Sequence, residues 1–346
     1  MALTLLALLG CQTDTTGLER RASPRDEAAG AGGSAASPDP SPAPMGSAGS
    51  SGEALTTSEG GSFVVLDGLV DGGRLFVCLR DTASGAELAV DGATGGPRPP
   101  EGLEFGTFER FPFDWNVAAL DVEVELFRAE LGSPEAQSCA ALRQAALLLA
   151  PESPDAGAGE PIAPPTVRSA GSLTLARGSL FEGRHYALVA TGCAVPELVA
   201  VPQSCGAPDP LFGARSELVL VEFGTELTEG GLSFGLQFLN ASRSLGPADL
   251  SLQVGAPEVS VPFASGVGFG VLRPRAVATV EQPFALELRG RGSNVVAYSQ
   301  SWMATLQASS LQLRPGGNYL LAGIGPLPRA DATGSSAPLL VLIPAE

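Results

Sequence analysis

Ser62-Phe63-Val64-Val65-Leu66, followed closely by Leu75-Phe76-Val77-Cys78-Leu79, decides the fold class. Both are short apolar runs, and the chain between them carries Asp67-Gly68 and Asp71-Gly72, which read as turns. The same pattern of apolar run and Gly, Pro or Asp punctuation returns at Ala187-Leu188-Val189-Ala190, Leu218-Val219-Leu220-Val221, Leu232 to Leu239, and Leu339-Leu340-Val341-Leu342-Ile343. Such spacing predicts an all-β protein of antiparallel sandwiches. One helix is expected over Pro134 to Leu149, with Ser133 as N-cap and Pro134 at the first position, although Leu147-Leu148-Leu149 also suits a strand.

Working outward, the chain repeats itself. One copy contains Leu75 to Leu79, Glu87-Leu88-Ala89-Val90-Asp91-Gly92, Gly102-Leu103-Glu104-Phe105-Gly106 and Gly183 to Gly192. The other contains Leu236-Gln237-Phe238-Leu239-Asn240-Ala241-Ser242, Asp249 to Gly255, Gly266-Val267-Gly268-Phe269-Gly270 and Gly316 to Gly325. The last block comes later in the first copy, which places an insertion around residues 130–165. Two domains follow, residues 62–213 and 214–346, and the repeat predicts that the second folds alone.

At these residues the chain resembles a family of bacterial cell-surface domains of unknown function, often found in tandem. That family's pattern resembles Asn240-Ala241-Ser242 at a strand end, Ala248-Asp249-Leu250, the Phe269-Gly270 turn and the late strand from Gly316 to Gly325. The first copy departs from it, with Arg80-Asp81-Thr82 where Asn-Ala-Ser would stand. The resemblance implies an immunoglobulin-like or transthyretin-like sandwich at the cell surface and brings no catalytic residues.

Upstream, Leu8-Leu9-Gly10-Cys11 looks like the lipobox at which bacteria cleave and lipidate exported precursors. Residues 1–10 are then a lipoprotein signal peptide, and Cys11 carries the acyl chains, palmitate among them. The apolar stretch is too short to span a bilayer. Residues 11–61, rich in Ser, Gly, Ala and Pro, lack the side chains to offset the entropy of ordering. They are expected to be a disordered tether holding the folded part roughly 40 Å from its anchor. Setting Cys11 aside leaves Cys78, Cys139, Cys193 and Cys205, an even set for an oxidising compartment. Four cysteines admit three connectivities, which sequence does not choose between; the pairing adopted is Cys193 with Cys205 and Cys78 with Cys139.

Composition narrows the chemistry. The 20 basic residues are all Arg, so Schiff-base, P-loop and Ser–Lys mechanisms have no lysine to run through. A net charge of −17 opposes nucleic acid as a partner. No CxxC exists and there is one His, so no zinc set forms at the usual spacings and no metal or cofactor is expected.

Individual residues have plain explanations. His185, through which any triad would pass, aligns with Asn318 and reads as a polar strand-edge position. Tyr186 and Tyr319 read as sandwich-corner or core aromatics whose hydroxyls bond backbone, not as binding residues. Asp121, Glu123 and Glu125 alternate with apolar residues and read as the solvated face of an edge strand, not a Ca²⁺ site. Trp115 and Trp302 could stack on sugars if exposed, although most sandwich tryptophans are buried.

The sequence therefore predicts a non-catalytic, lipid-anchored surface protein at the bacterial outer membrane or cell surface, serving as a structural or adhesive module. Its partners would be the membrane, through the lipid, and a surface polysaccharide or protein. A carbohydrate or small-ligand binding protein, using Trp115 or the insertion, is the alternative, and a secreted hydrolase comes third.

Overall fold

In the computed structural model the described residues are 61–88, 96–112, 120–148, 167–181, 183–194, 205, 215–224, 233–254, 259–273, 276–279, 284–294, 296–309, 311, 313–314, 316–326 and 339–345. Cys11, the tether up to residue 60 and Trp115 lie outside them.

The first half contains β1 (Ser62–Leu69), β2 (Arg74–Asp81), β3 (Arg98–Leu103), β4 (Phe108–Pro112), β5 (Val122–Ala129), α1 (Cys139–Leu148), β6 (Val167–Leu175), β7 (His185–Cys193) and β8 (Arg215–Phe223). The second contains β9 (Ser233–Asn240), β10 (Ala248–Val254), β11 (Val259–Val267), β12 (Ala276–Thr279), β13 (Phe284–Gly290), β14 (Val296–Ser301), α2 (Trp302–Ala308), β15 (Asn318–Ile324) and β16 (Leu339–Pro344). Four sheets form, ordered β4-β1-β7-β8, β3-β2-β5-β6, β12-β9-β15-β16 and β11-β10-β13-β14. Adding eight to each strand number of the first two sheets gives the other two. The repeat is thus complete at the level of topology, and the all-β sandwich expectation holds.

Three details differ from the sequence reading. First, the sandwiches are not wholly antiparallel, since β1 runs parallel to β7 and β9 parallel to β15. The first and seventh strands of each copy lie side by side, and the long path between them lets the chain return in the same direction. Second, the structural counterpart of β9 is β1, one strand earlier than the Leu75 to Leu79 block matched to it by sequence. Asp67, not Arg80, stands where Asn240 stands. Asp67 Oδ1 accepts from the Leu69 amide at 3.0 Å, as Asn240 Oδ1 accepts from the Ser242 amide at 3.2 Å. The Gly106 amide donates to the Asp67 carbonyl and the Gly270 amide to the Asn240 carbonyl, both from glycines at positive φ. Asp67-Gly68 is therefore buried strand, although Asp71-Gly72 does turn.

Third, β8 bonds to β7 along its whole length, from His185 opposite Phe223 to Cys193 opposite Arg215. The boundary placed before residue 214 falls on the wrong side of this strand; the first sandwich ends after Phe223. Sheets β4-β1-β7-β8 and β12-β9-β15-β16 also press against one another. Val64, Leu66, Val189, Phe223, Leu320, Ile324 and Val341 meet in one cluster between them. Residues 57–346 form a single compact unit. The two middle sheets are buried on both faces, which explains why β1, β7 and β15 are buried at every position, whereas the outer strand β6 is buried only at Val167, Ala170 and Leu175.

Candidate functional site

The outer face of β2 and β5 is where the two halves differ most. Phe76, Cys78, Phe127 and Ala129 make that face apolar, and α1 covers it with Cys139 and Leu142. The Cys78–Cys139 disulfide fastens the helix to the sheet. The expected helix starts later than read: Pro134–Gln137 is a 3₁₀ turn, Ser133 makes no cap bond, and the Ser138 hydroxyl accepts from the Ala141 amide instead. Beside the apolar strip lies an ionic one. Arg143 of α1 places Nε and Nη2 on Glu125, the latter at 2.6 Å, and Arg80 pairs with Glu123. Asp121 Oδ1 accepts from the Arg177 amide at 2.6 Å. Of the three acids predicted for a solvated edge, Glu123 and Glu125 instead sit on the central strand β5, with Glu125 only 8% exposed, and Asp121 immediately precedes it. The insertion's arginine supplies the charge that lets a carboxylate be buried there.

Between β3 and the start of the insertion the covering leaves a cleft of about 540 Å³. Arg98, Pro100 and Glu101 line it from β3, and Leu131, Ser133 and Gln137 from the insertion. Leu131 is 65% exposed at its rim. Its size lies inside the roughly 300–1,000 Å³ range of small-ligand sites. Sequence reasoning pointed to the insertion but missed the β3 wall; Pro99-Pro100, unsuited to an interior strand, was the available signal of an edge.

His185 does meet a serine. Ser62 Oγ lies 2.9 Å from His185 Nδ1, and both side chains are buried where the two sandwiches join. Burial, and secondarily the Arg110 guanidinium, lower the His185 pKa to about 4, so the imidazole is neutral at pH 7. Arg110 donates to the Pro344 carbonyl at 2.6 Å and to that of Ala345 at 3.2 Å. The group ties the first sandwich to the second, with the Ser62 hydroxyl also donating to the Ala345 carbonyl at 3.4 Å.

A second buried group closes the end of the first sandwich. Arg128 Nη1 bonds Asp67 Oδ2 at 2.6 Å, and its Nε lies 3.3 Å from Asp71. Burial raises the Asp67 carboxyl to about 6 against the pull of Arg128. Cys193–Cys205 packs nearby with Val70, as the second of the two disulfides. Both bonds match the pairing adopted from sequence.

The remaining candidates are structural. The Tyr186 hydroxyl accepts from the Phe181 amide and that of Tyr319 from the Arg314 amide, at 3.1 and 2.7 Å, which makes them equivalent corner tyrosines. Trp302 is 4% exposed and stacks on Phe234 at 5.6 Å. Asn240 is buried, its amide donating to the Gly246 and Val267 carbonyls. Among the described residues no helix is long and apolar enough to cross a membrane, and no cluster of three metal-ligating side chains occurs. Comparison of the chain with protein-family models and with curated proteins finds no match.

Proposed function

We propose that the chain is a lipid-anchored surface protein acting as a non-catalytic structural or adhesive display module. The observation that carries this reading is the cysteine pattern: four of five cysteines pair in two disulfides, and the fifth is Cys11, behind Leu8-Leu9-Gly10. Disulfides persist where the environment oxidises, which fits export. The acyl chains hold the protein to a bacterial outer membrane or cell surface, the tether extends it, and the double sandwich presents its outer faces. Cys11→Ser is expected to move the protein from the membrane to the soluble fraction and to abolish palmitate incorporation. Retention of the variant on membranes would contradict the anchoring.

The cleft beside the insertion favours a second reading, an extracytoplasmic binding protein for carbohydrate or another small ligand. Only the first sandwich carries the insertion that forms one wall of it.

A further inference from the structure

We infer that the cleft between β3 and the insertion is a binding site for an uncharged sugar unit, the end or branch of a surface polysaccharide. The inference rests on the second reading above and names its ligand.

Four observations carry it. The cleft is a rigid feature added to the repeat: prolines stiffen the β3 wall, and the insertion wall is fastened by Cys78–Cys139. A site so held loses little entropy on binding. Its lining alternates two chemistries. Pro100 and Leu131 offer flat or apolar surface for the C–H face of a ring, while Arg98, Glu101, Ser133 and Gln137 offer donors and acceptors for hydroxyl groups. An extended peptide is disfavoured because Pro99 and Pro100 have no amide hydrogen, and one of these adjacent positions would otherwise supply a donor to a strand added at the free edge of β3. An anionic polymer is disfavoured by the charge of the whole chain, −17, and the cleft adds no net positive charge to offset it, since Arg98 and Glu101 both line it. What remains is a neutral ligand with many hydroxyls.

The second sandwich supplies an internal control. At the equivalent edge, β11 reads Val259-Ser260-Val261-Pro262 and has no insertion beside it, because β13 turns directly into β14.

The test uses the full chain carrying Cys11→Ser, so that binding is read without the anchor. An array of neutral glycans, acidic glycans and peptides is probed first, and affinities for the selected probe are then measured by calorimetry. Neutral glycans are expected to bind at roughly millimolar or tighter concentrations. Glu101→Ala should weaken the best of them about tenfold or more and Gln137→Ala by roughly threefold to tenfold, as expected for lost hydrogen bonds. Both side chains are exposed, so the melting temperature should hold, and Ser260→Ala on β11 should change nothing. Selection of acidic glycans or peptides, no neutral-glycan binding, or affinities untouched by Glu101→Ala and Gln137→Ala would overturn the inference. Membrane fractionation of the lipidated chain is a separate measurement, so failure here would leave the anchoring proposal standing.

Discussion

The first and second sandwiches share one topology strand for strand, yet they finish their outer faces in opposite ways. In the first, Phe76, Cys78 and Phe127 form an apolar surface that requires a lid, and the insertion between β5 and β6 supplies it with a disulfide and the Arg143–Glu125 pair. In the second, Gln253 donates to Glu287 at 2.6 Å and Arg289 pairs with the same carboxylate, so the corresponding sheet is finished by its own polar side chains. The buried strand ends differ likewise: Asp67 with Arg128 in one copy, neutral Asn240 in the other. The conserved frame is apolar and geometric. The additions in the first copy are ionic and covalent, and they create the cleft.

The inner faces do the reverse, since each sandwich uses the other as its cover. The largest expected effect follows from this. A fragment of residues 214–346 would carry β8 without β7 and expose Leu320, Ile324 and Val341 to water. It is expected to aggregate or to show no cooperative unfolding by circular dichroism. A soluble fragment with a sharp transition would instead make the sandwiches independent.

Removing the lid's fastening should cost less. Cys139→Ser together with Cys78→Ser opens a loop of sequence separation 61 and should lower stability by about 4 kcal/mol in denaturant titrations. The Cys193–Cys205 pair, at separation 12, should cost about 3 kcal/mol. Equal small losses would mean that the insertion holds by packing alone.

The charged strand end gives a pH-dependent comparison. Arg128→Met would leave Asp67 and Asp71 buried without their cation and should cost about 3 kcal/mol or more at pH 7. The loss should shrink toward pH 4 as the Asp67 carboxyl takes up a proton. In the native chain the Asp67 pKa is raised from 3.8 to about 6, so its protonated form is preferred when folded, and its contribution falls as pH rises through that window. Asp67→Asn installs the second copy's residue. It should remove that fall and stabilise the protein at pH 7 by about 2 kcal/mol relative to its effect at pH 4. His185 has the opposite sign: its pKa is lowered from 6.5 to about 4, so stability is lost as pH drops across that range. His185→Asn, again the second copy's residue, should flatten the acid side of the profile. Variants that both shift the profile in one direction would contradict these assignments.

The smallest effects should be equal ones. Tyr186→Phe and Tyr319→Phe each remove one bond to a backbone amide and should each cost about 1 kcal/mol. Unequal losses would show that the two corners are not equivalent.

Much of this was legible in the chain. Fold class, the insertion and the backbone-bonded tyrosines followed from local pattern and spacing, whereas the disulfide pairing was one of three connectivities that spacing left open and the structure decides. The strand match failed at Asp67 because the repeated feature there is a set of backbone bonds around an Asx turn, which Asp and Asn serve equally and which leaves little trace in side-chain identity. The joining of the sandwiches had a signal that period alone does not resolve. Phe63-Val64-Val65-Leu66 and Tyr319-Leu320-Leu321-Ala322 are continuous apolar runs, as strands buried on both faces must be, whereas one solvated face would have made them alternate. The cleft was hidden because its walls, Arg98 to Glu101 and Leu131 to Gln137, are separated in sequence and are brought together by the pairing of β2 with both β3 and β5 and by the Cys78–Cys139 bond.

Scanning calorimetry of the oxidised full chain tests the central claim, that two matched sandwiches share one buried interface and act as one body. A single transition with equal calorimetric and van't Hoff enthalpies is predicted. Two separable transitions, one of them sensitive to reductant and the other not, would contradict it.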